Sequence, residues 1–163
     1  MAFAMDDIVL RSMAKWPDVP DVYGWLSLDR RGNWLIRSTR ATPSFEKIGN
    51  AALREFIGRN YQPDSRGCWF FQNGPQRVFV ALAYTPLVLH IEGEALFDHC
   101  GRPFLSEQAF VDEEGSVLMQ GIQGIGLLDD RDLAAYADRA RELVNIPCRI
   151  VPERFGFVTN PLP

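Results

Sequence analysis

Long apolar runs, paired cysteines and dense basic stretches are all missing from this sequence, and each absence closes a class of function. No apolar run approaches the roughly 20 residues that a membrane-spanning helix needs. The opening stretch, Met1 to Asp7, holds no basic residue and meets two acids at once, so it does not read as a signal peptide. Three cysteines, Cys68, Cys100 and Cys148, stand far apart. An odd count without Cys-x-x-Cys spacing argues against a disulfide framework. These absences together point to a cytoplasmic, bacterial protein that does not touch a membrane. No Arg/Lys stripe follows any predicted helix or strand, which argues against a nucleic-acid partner. There is no Gly-x-Ser-x-Gly elbow for a serine nucleophile. Histidine is limited to His90 and His99, too few for a zinc site of three or four convergent ligands without help from other residues.

What is present is an ordinary globular mix. Apolar residues make up 47% of the 163 and charged residues 23%, which argues against disorder. A chain of this length buries roughly two-thirds of its unfolded surface as one domain, residues 1–163, without a structural metal. The net charge of −4 is unevenly spread. Residues 1–80 carry eleven Arg/Lys and eight Asp/Glu, whereas residues 81–163 carry six and thirteen. Either these are two solvated surfaces of opposite sign, or the two signs meet within or between subunits.

Three stretches read as helices. The first covers about 5–15, with Met5, Val9, Ser12/Met13 and Trp16 near one face and Pro17 and Pro20 as the stop. The second covers about 50–61, with Asn50 as N-cap and Leu53, Phe56, Ile57 and Tyr61 on one face. The third covers about 130–145, capped by Asp129, with Leu133, Tyr136, Ala137, Ala140 and Leu143/Val144 at the helical period.

Hairpins lie between them. Asp29-Arg30-Arg31-Gly32 suits a type I turn followed by a left-handed glycine. It pairs Leu28 with Trp34 and Leu26 with Ile36, all four facing the core. Residues 109–119 reuse the same turn at Asp112–Gly115, and a shared turn chemistry explains the likeness as well as an internal repeat does. A third hairpin spans 68–80. Pro75 disfavours a type I′ turn at Asn73-Gly74 and points to a longer loop with Pro75 at the first central position. Its register places Gln72 opposite Arg77, Phe71 opposite Val78, Phe70 opposite Phe79 and Trp69 opposite Val80. Shorter strands are expected at 87–91 and around 149–151. Strands clustered between helices, without regular alternation, predict an α+β fold: a curved, mainly antiparallel sheet of hairpins with about three helices.

The most distinctive residues run from Asn60-Tyr61 through Asp64-x-x-Gly67-x-Trp69 and Phe71-Gln72-Asn73-Gly74-Pro75-Gln76-Arg77-Val78-Phe79-Val80 to Tyr84-x-Pro86. In these the chain resembles a family of uncharacterised proteobacterial proteins. The resemblance implies a compact bacterial domain and transfers no catalytic residue.

This hairpin has two apolar faces. Trp69, Phe71, Val78 and Val80 suit the core; Cys68, Phe70, Phe79 and Ala81 line the other face, which ends in Gln72 and Arg77. A half-exposed sheet is polar outside, so the second face needs a cover: a helix, a partner chain or a ligand. Phe70, Gln72, Asn73, Gln76, Arg77 and Phe79 are therefore the candidate binding residues. The leading reading is a non-enzymatic binding or regulatory module acting through contacts with itself, as a homo-oligomer, or with another protein. The alternative is a small-molecule-binding domain or enzyme with a pocket between sheet and helix, using Arg77, Tyr84 and His90. No catalytic residue, metal site or cofactor is assigned. Asp98-His99-Cys100 carries metal-capable side chains but reads as an exposed loop near a turn. His90 reads as a satisfied, partly buried histidine. Gly121-Ile122-Gln123-Gly124-Ile125-Gly126 lacks the order of a phosphate loop and reads as a flexible or bulged connection.

Overall fold

The computed structural model describes residues 5–37, 44–139 and 142–163. The chain is an α+β protein of two mixed sheets. The first sheet holds β1 (Val22–Leu28), β2 (Trp34–Arg37), β3 (Phe45–Lys47), β4 (Tyr61–Pro63), β5 (Trp69–Asn73) and β6 (Gln76–Leu82), in the order β3-β2-β1-β6-β5-β4. The second holds β7 (Leu87–Glu92), β8 (Ala95–Asp98), β9 (Pro103–Phe104), β10 (Gln108–Val111), β11 (Val117–Gly121), β12 (Gly124–Leu128) and β13 (Val144–Asn145), in the order β13-β10-β11-β12-β7-β8-β9. Hairpins dominate, so most pairings are antiparallel; β1 with β6, β12 with β7 and β10 with β13 run parallel. One apolar core joins both sheets, from Leu28, Trp34, Trp69 and Val80 to Leu87, Phe110, Leu118 and Leu127. The two sheets divide the chain almost where its charge changes sign.

Helices cover the ends. α1 (Asp7–Lys15) buries Val9, while Trp16 lies just past its end and is exposed. α2 (Ala51–Arg59) starts where Asn50 accepts from the Leu53 N–H at 2.9 Å, as its capping chemistry predicts. The third expected helix is shorter than its periodicity suggests. A 3-10 turn at Asp130–Asp132 leads into α3 (Leu133–Ala137), and Val144–Asn145 instead extends the sheet beside Phe110 and Val111. Strand pairing there overrides helical propensity; Ala140 lies outside the described residues. The strand expected around 149–151 is also corrected. Cys148–Ile150 is a 3-10 turn that continues into α4 (Val151–Phe155), with Pro152 in its first turn and Gly156 ending it at φ +70°. No helix among the described residues is long and apolar enough to cross a membrane.

Four hairpin turns share one local solution. Asp29–Gly32, Asp64–Gly67, Asp98–Gly101 and Asp112–Gly115 each close with the glycine N–H on the aspartate carbonyl, at 3.0–3.3 Å. In each, the aspartate Oδ1 accepts the N–H groups two and four residues on, at 2.8–2.9 Å. All four glycines have φ of +82° or +83°. The aspartate side chain therefore caps its own turn, and the left-handed glycine restores the strand direction. The expected pairs Leu28–Trp34 and Leu26–Ile36 form, although Ile36 is 43% exposed rather than in the core.

The 68–80 hairpin has the expected register, with a tighter turn. Asn73 pairs with Gln76, so Gly74 and Pro75 are the two loop residues. Gly74 at φ +58° takes the first central position and Pro75 the second. That is the type II′ arrangement, because proline cannot adopt the second positive φ of type I′. Residues 121–126 are likewise a tight β11–β12 hairpin, with Gly121 paired to Gly124, rather than a loose connection.

Candidate functional site

The outer face of the 68–80 hairpin is closed by the chain itself. Phe70 and Phe79 are each only 2% exposed and form a small second core with Cys68. Two segments of this chain supply its cover. A bulge between Val22 and Leu26, with Gly24 at φ +78°, lets Tyr23 stack on Phe79 at 4.8 Å between ring centres. The segment after α4 supplies Val158. Its backbone is tied down on both sides: Val158 N–H donates to the Gly67 carbonyl at 3.0 Å, and Leu82 N–H donates to the Thr159 carbonyl at 2.7 Å. The Arg77 guanidinium lies over the Phe70 ring at 4.3 Å. Gln72 is buried, its Nε2 donating to the Gly74 carbonyl at 3.0 Å. Gln76 donates to the Pro20 carbonyl at 3.1 Å, and Asn73 is exposed. These six residues are thus brought together, but the aromatic ones serve internal packing.

Tyr84 and His90 lie elsewhere. Tyr84 is buried and donates to Asp112 at 2.9 Å, with Arg30 over its ring at 5.0 Å. Burial, then Asp112, pushes its hydroxyl pKa upward. Arg31 forms a two-contact ion pair with Asp130 at 2.9 and 3.1 Å, and Arg30 donates to Ser116 at 2.9 Å. The basic tip of the first hairpin therefore meets the acidic half of the chain. Both partners of the Arg31–Asp130 pair are largely exposed, so water screens the pair and it contributes little.

The polar cleft of the molecule opens beside that tip, where the Asp29 and Asp98 turns meet. A Cβ added at Gly32 would fall 2.7 Å from His99 Cβ and 3.2 Å from His90 Nε2, so only glycine allows this approach. α2 forms another wall. Gly58 lies against Cys100, and Arg102 donates to the Gly58 carbonyl at 2.8 Å. The resulting space of about 280 Å³ is lined by Asn33, Trp34, Arg54, Glu55, His99 and Cys100, with Gly32 and Gly101 at its turns. None of Arg77, Tyr84 and His90 lines it. The Asp98-His99-Cys100 triplet is therefore no exposed loop but part of a packed turn, with Asp98 buried.

The electrostatics of that turn are those of burial. His99 Nδ1 accepts the Val88 N–H at 3.1 Å, and its ring packs against Trp34 and Tyr61. Desolvation, then the charges of His90 and Arg102, pulls its pKa down to about 3. The ring is neutral at pH 7, so the proton sits on Nε2. Among the described residues that atom is buried without a partner, as is Asp98 Oδ2. Burial pushes the Asp98 carboxyl and the Cys100 thiol upward. A thiol held protonated is a poor nucleophile.

On the other side of Gly32, His90 Nδ1 stands 3.2 Å from Asp129 Oδ2 and 3.9 Å from Asp132 Oδ2. Asp129 caps the turn, accepting from Arg131 N–H at 2.9 Å. Burial raises its pKa, but the Arg131 side chain and backbone outweigh that and bring it to about 2. No local pattern marks this grouping, since His90 lies on β7 and the two aspartates on the turn after β12.

Residues 5–162 match a family described as "Protein of unknown function (DUF2946)". No curated protein matches the chain. Two solved structures are similar. One is a DUF1285 family protein from Silicibacter pomeroyi DSS-3, at 12% identity and a TM-score of 0.55, covering 87% of this chain and 80% of the other. The second is a DUF1285 family protein from Shewanella baltica OS155, at 12% identity and a TM-score of 0.47, covering 71% and 92%. The first similarity is one of fold alone.

Proposed function

Because the chain belongs to this DUF2946 family of unknown function, its own geometry must supply the reading, and we propose that it is a binding module for a small polar ligand, without chemistry of its own. The site is the cleft between the first hairpin, α2 and the Asp98 turn. One observation carries this reading: His99 lines the cleft with a protonated Nε2 that has no acceptor among the described residues. A buried donor left unpaired costs about 1–3 kcal/mol. A ligand oxygen would recover that loss, with Trp34 offering an apolar wall and Arg54 and Glu55 a charged one. Nε2 is shielded from water, so entry requires a side-chain movement at the mouth. The protonated Cys100 supports binding over nucleophilic catalysis.

A bacterial, cytoplasmic setting belongs to the same proposal. Contacts with another copy or another protein through this hairpin would use the rim of Asn73, Gln76 and Arg77, since Phe70 and Phe79 are covered. The test is amide NMR on the ¹⁵N-labelled chain, titrated with small carboxylates, amides and alcohols. At least one compound should shift Gly32, the Trp34 indole and Gly101 together, and Ala51→Trp should abolish the response. If no compound moves those signals, the reading is wrong.

A further inference from the structure

His90 belongs to a second grouping that the cleft does not use. Its Nδ1 and one carboxylate oxygen each from Asp129 and Asp132 lie within 4.8 Å of one another. We propose that these three side chains form a binding site for one divalent transition-metal cation, with zinc as the reference ion.

The donor set comes first. One imidazole and two carboxylates suit borderline ions such as zinc, whereas magnesium and calcium favour oxygen alone. Dimensions agree. Ligand atoms about 2.0–2.1 Å from a tetrahedral zinc stand roughly 3.3 Å apart. The observed 3.2 and 3.9 Å lie within a small side-chain rotation of that spacing.

The backbone holds the ligands in place. Asp129 N–H donates to the Leu89 carbonyl at 2.9 Å, and Ile91 N–H donates to Asp132 Oδ2 at 3.1 Å. Both residues flanking His90 on β7 are thereby clamped to the turn that carries the two aspartates. Asp129 has its own support, from three N–H groups of Arg131 at 2.6–3.1 Å. Two of these contacts fall on each oxygen; the longest, from the shared Nε–H to Oδ2 at 3.1 Å, is the one an ion would displace. Ligating carboxylates are themselves hydrogen-bonded in metal sites, as Asp129 is here. Access is graded. The Asp129 side chain is 1% exposed, but those of His90 and Asp132 are 29% and 26% exposed, leaving an open side for the ion and its waters. With a neutral imidazole, as ligation requires, Asp129, Asp130 and Asp132 outnumber Arg31 and Arg131 by one negative charge. The competing occupant is a proton, which would turn His90 into an ion-pair partner of the same two carboxylates.

Tag-free, chelator-stripped protein titrated calorimetrically with zinc separates the two. The expected result is one zinc per chain, with magnesium much weaker. His90→Ala and Asp132→Asn should each weaken zinc by about tenfold or more, the scale on which supporting contacts alone act. Asp130→Asn, which removes a nearby charge but no ligand, should weaken zinc less than either, and Cys148→Ser excludes an adventitious thiol site. A second measurement needs no variant: ring ¹⁵N NMR should show zinc moving His90 Nδ1 and leaving His99 in place. Absence of saturable zinc binding overturns the proposal. So does binding that survives His90→Ala, or a His90 ring signal that zinc does not move.

Discussion

The Asp29 and Asp112 turns share a backbone and differ in everything around it. Both close the same hairpin with the same aspartate caps and the same glycine at φ +83°. Gly32 is wedged against His99 and His90, whereas a Cβ at Gly115 would meet nothing within 4 Å. The other two turns divide the same way: Gly67 lies against the Gly156 carbonyl, and Gly101 faces open space. Local chemistry makes the turn, and what is packed against its glycine decides how much room a side chain there would have. A motif alone therefore does not mark function here; its neighbours do.

Substitutions at the turn glycines test that division directly. Gly67→Ala should have the largest effect, because the new Cβ would lie 2.1 Å from the Gly156 carbonyl oxygen, a backbone atom that cannot rotate away. A loss above about 4 kcal/mol is expected, or no folded protein, as read by urea denaturation. Gly32→Ala adds a 2.7 Å contact with His99 Cβ to its left-handed strain. It should lower stability by about 2–4 kcal/mol and disturb the His99 ring signals.

The Asp98 turn can be set apart from the others by pH. The His99 pKa is about 3 when folded, against an ordinary value of 6.5. Between those values the unfolded chain binds the extra proton, so stability falls as pH drops. The slope should approach about 1 kcal/mol per pH unit below pH 6, and His99→Gln should flatten it. Asp98 contributes with the opposite sign, because burial raises its carboxyl pKa and stability is lost as pH rises through that raised value. Taking the difference between the chain and His99→Gln removes Asp98 from the result. The smallest effect belongs to Gly115→Ala, which meets only backbone strain and should cost about 1 kcal/mol. If Gly115→Ala proves as damaging as Gly32→Ala, the distinction between packed and open turns fails.

Much of the fold was legible because its signals are local. Asp29 and Asp112 stood out since each turn lies between long alternating segments. The Asp64 and Asp98 turns carry the same spacing but border strands as short as Tyr61–Pro63 and Pro103–Phe104, which give little alternation to notice. At Asp98, Gly101 marks a turn, but nothing local shows that the turn is packed rather than exposed. α4 carried Pro152 and Gly156 as start and stop signals, yet its five residues are too few for a period to emerge. The sites were hidden for a different reason. His99 is neutral because Trp34 and Tyr61 of the other sheet enclose it, and His90 meets Asp132 across about forty residues. Neither relation has a local pattern. The two-faced hairpin was read correctly as needing a cover, but Val158 gives no sign of where it will dock.

That cover has a consequence in the order of synthesis. The strap bearing Val158 leaves the ribosome about eighty residues after Phe79, which at roughly 5–20 residues per second is a delay of about 4–16 s. During that interval Phe70 and Phe79 have Tyr23 and Arg77 over them but lack the Val158 side of their cover on the nascent chain. The newborn protein thus passes through a sticky stage that the finished one never shows, and a chaperone on guard at the tunnel exit would find its foothold there.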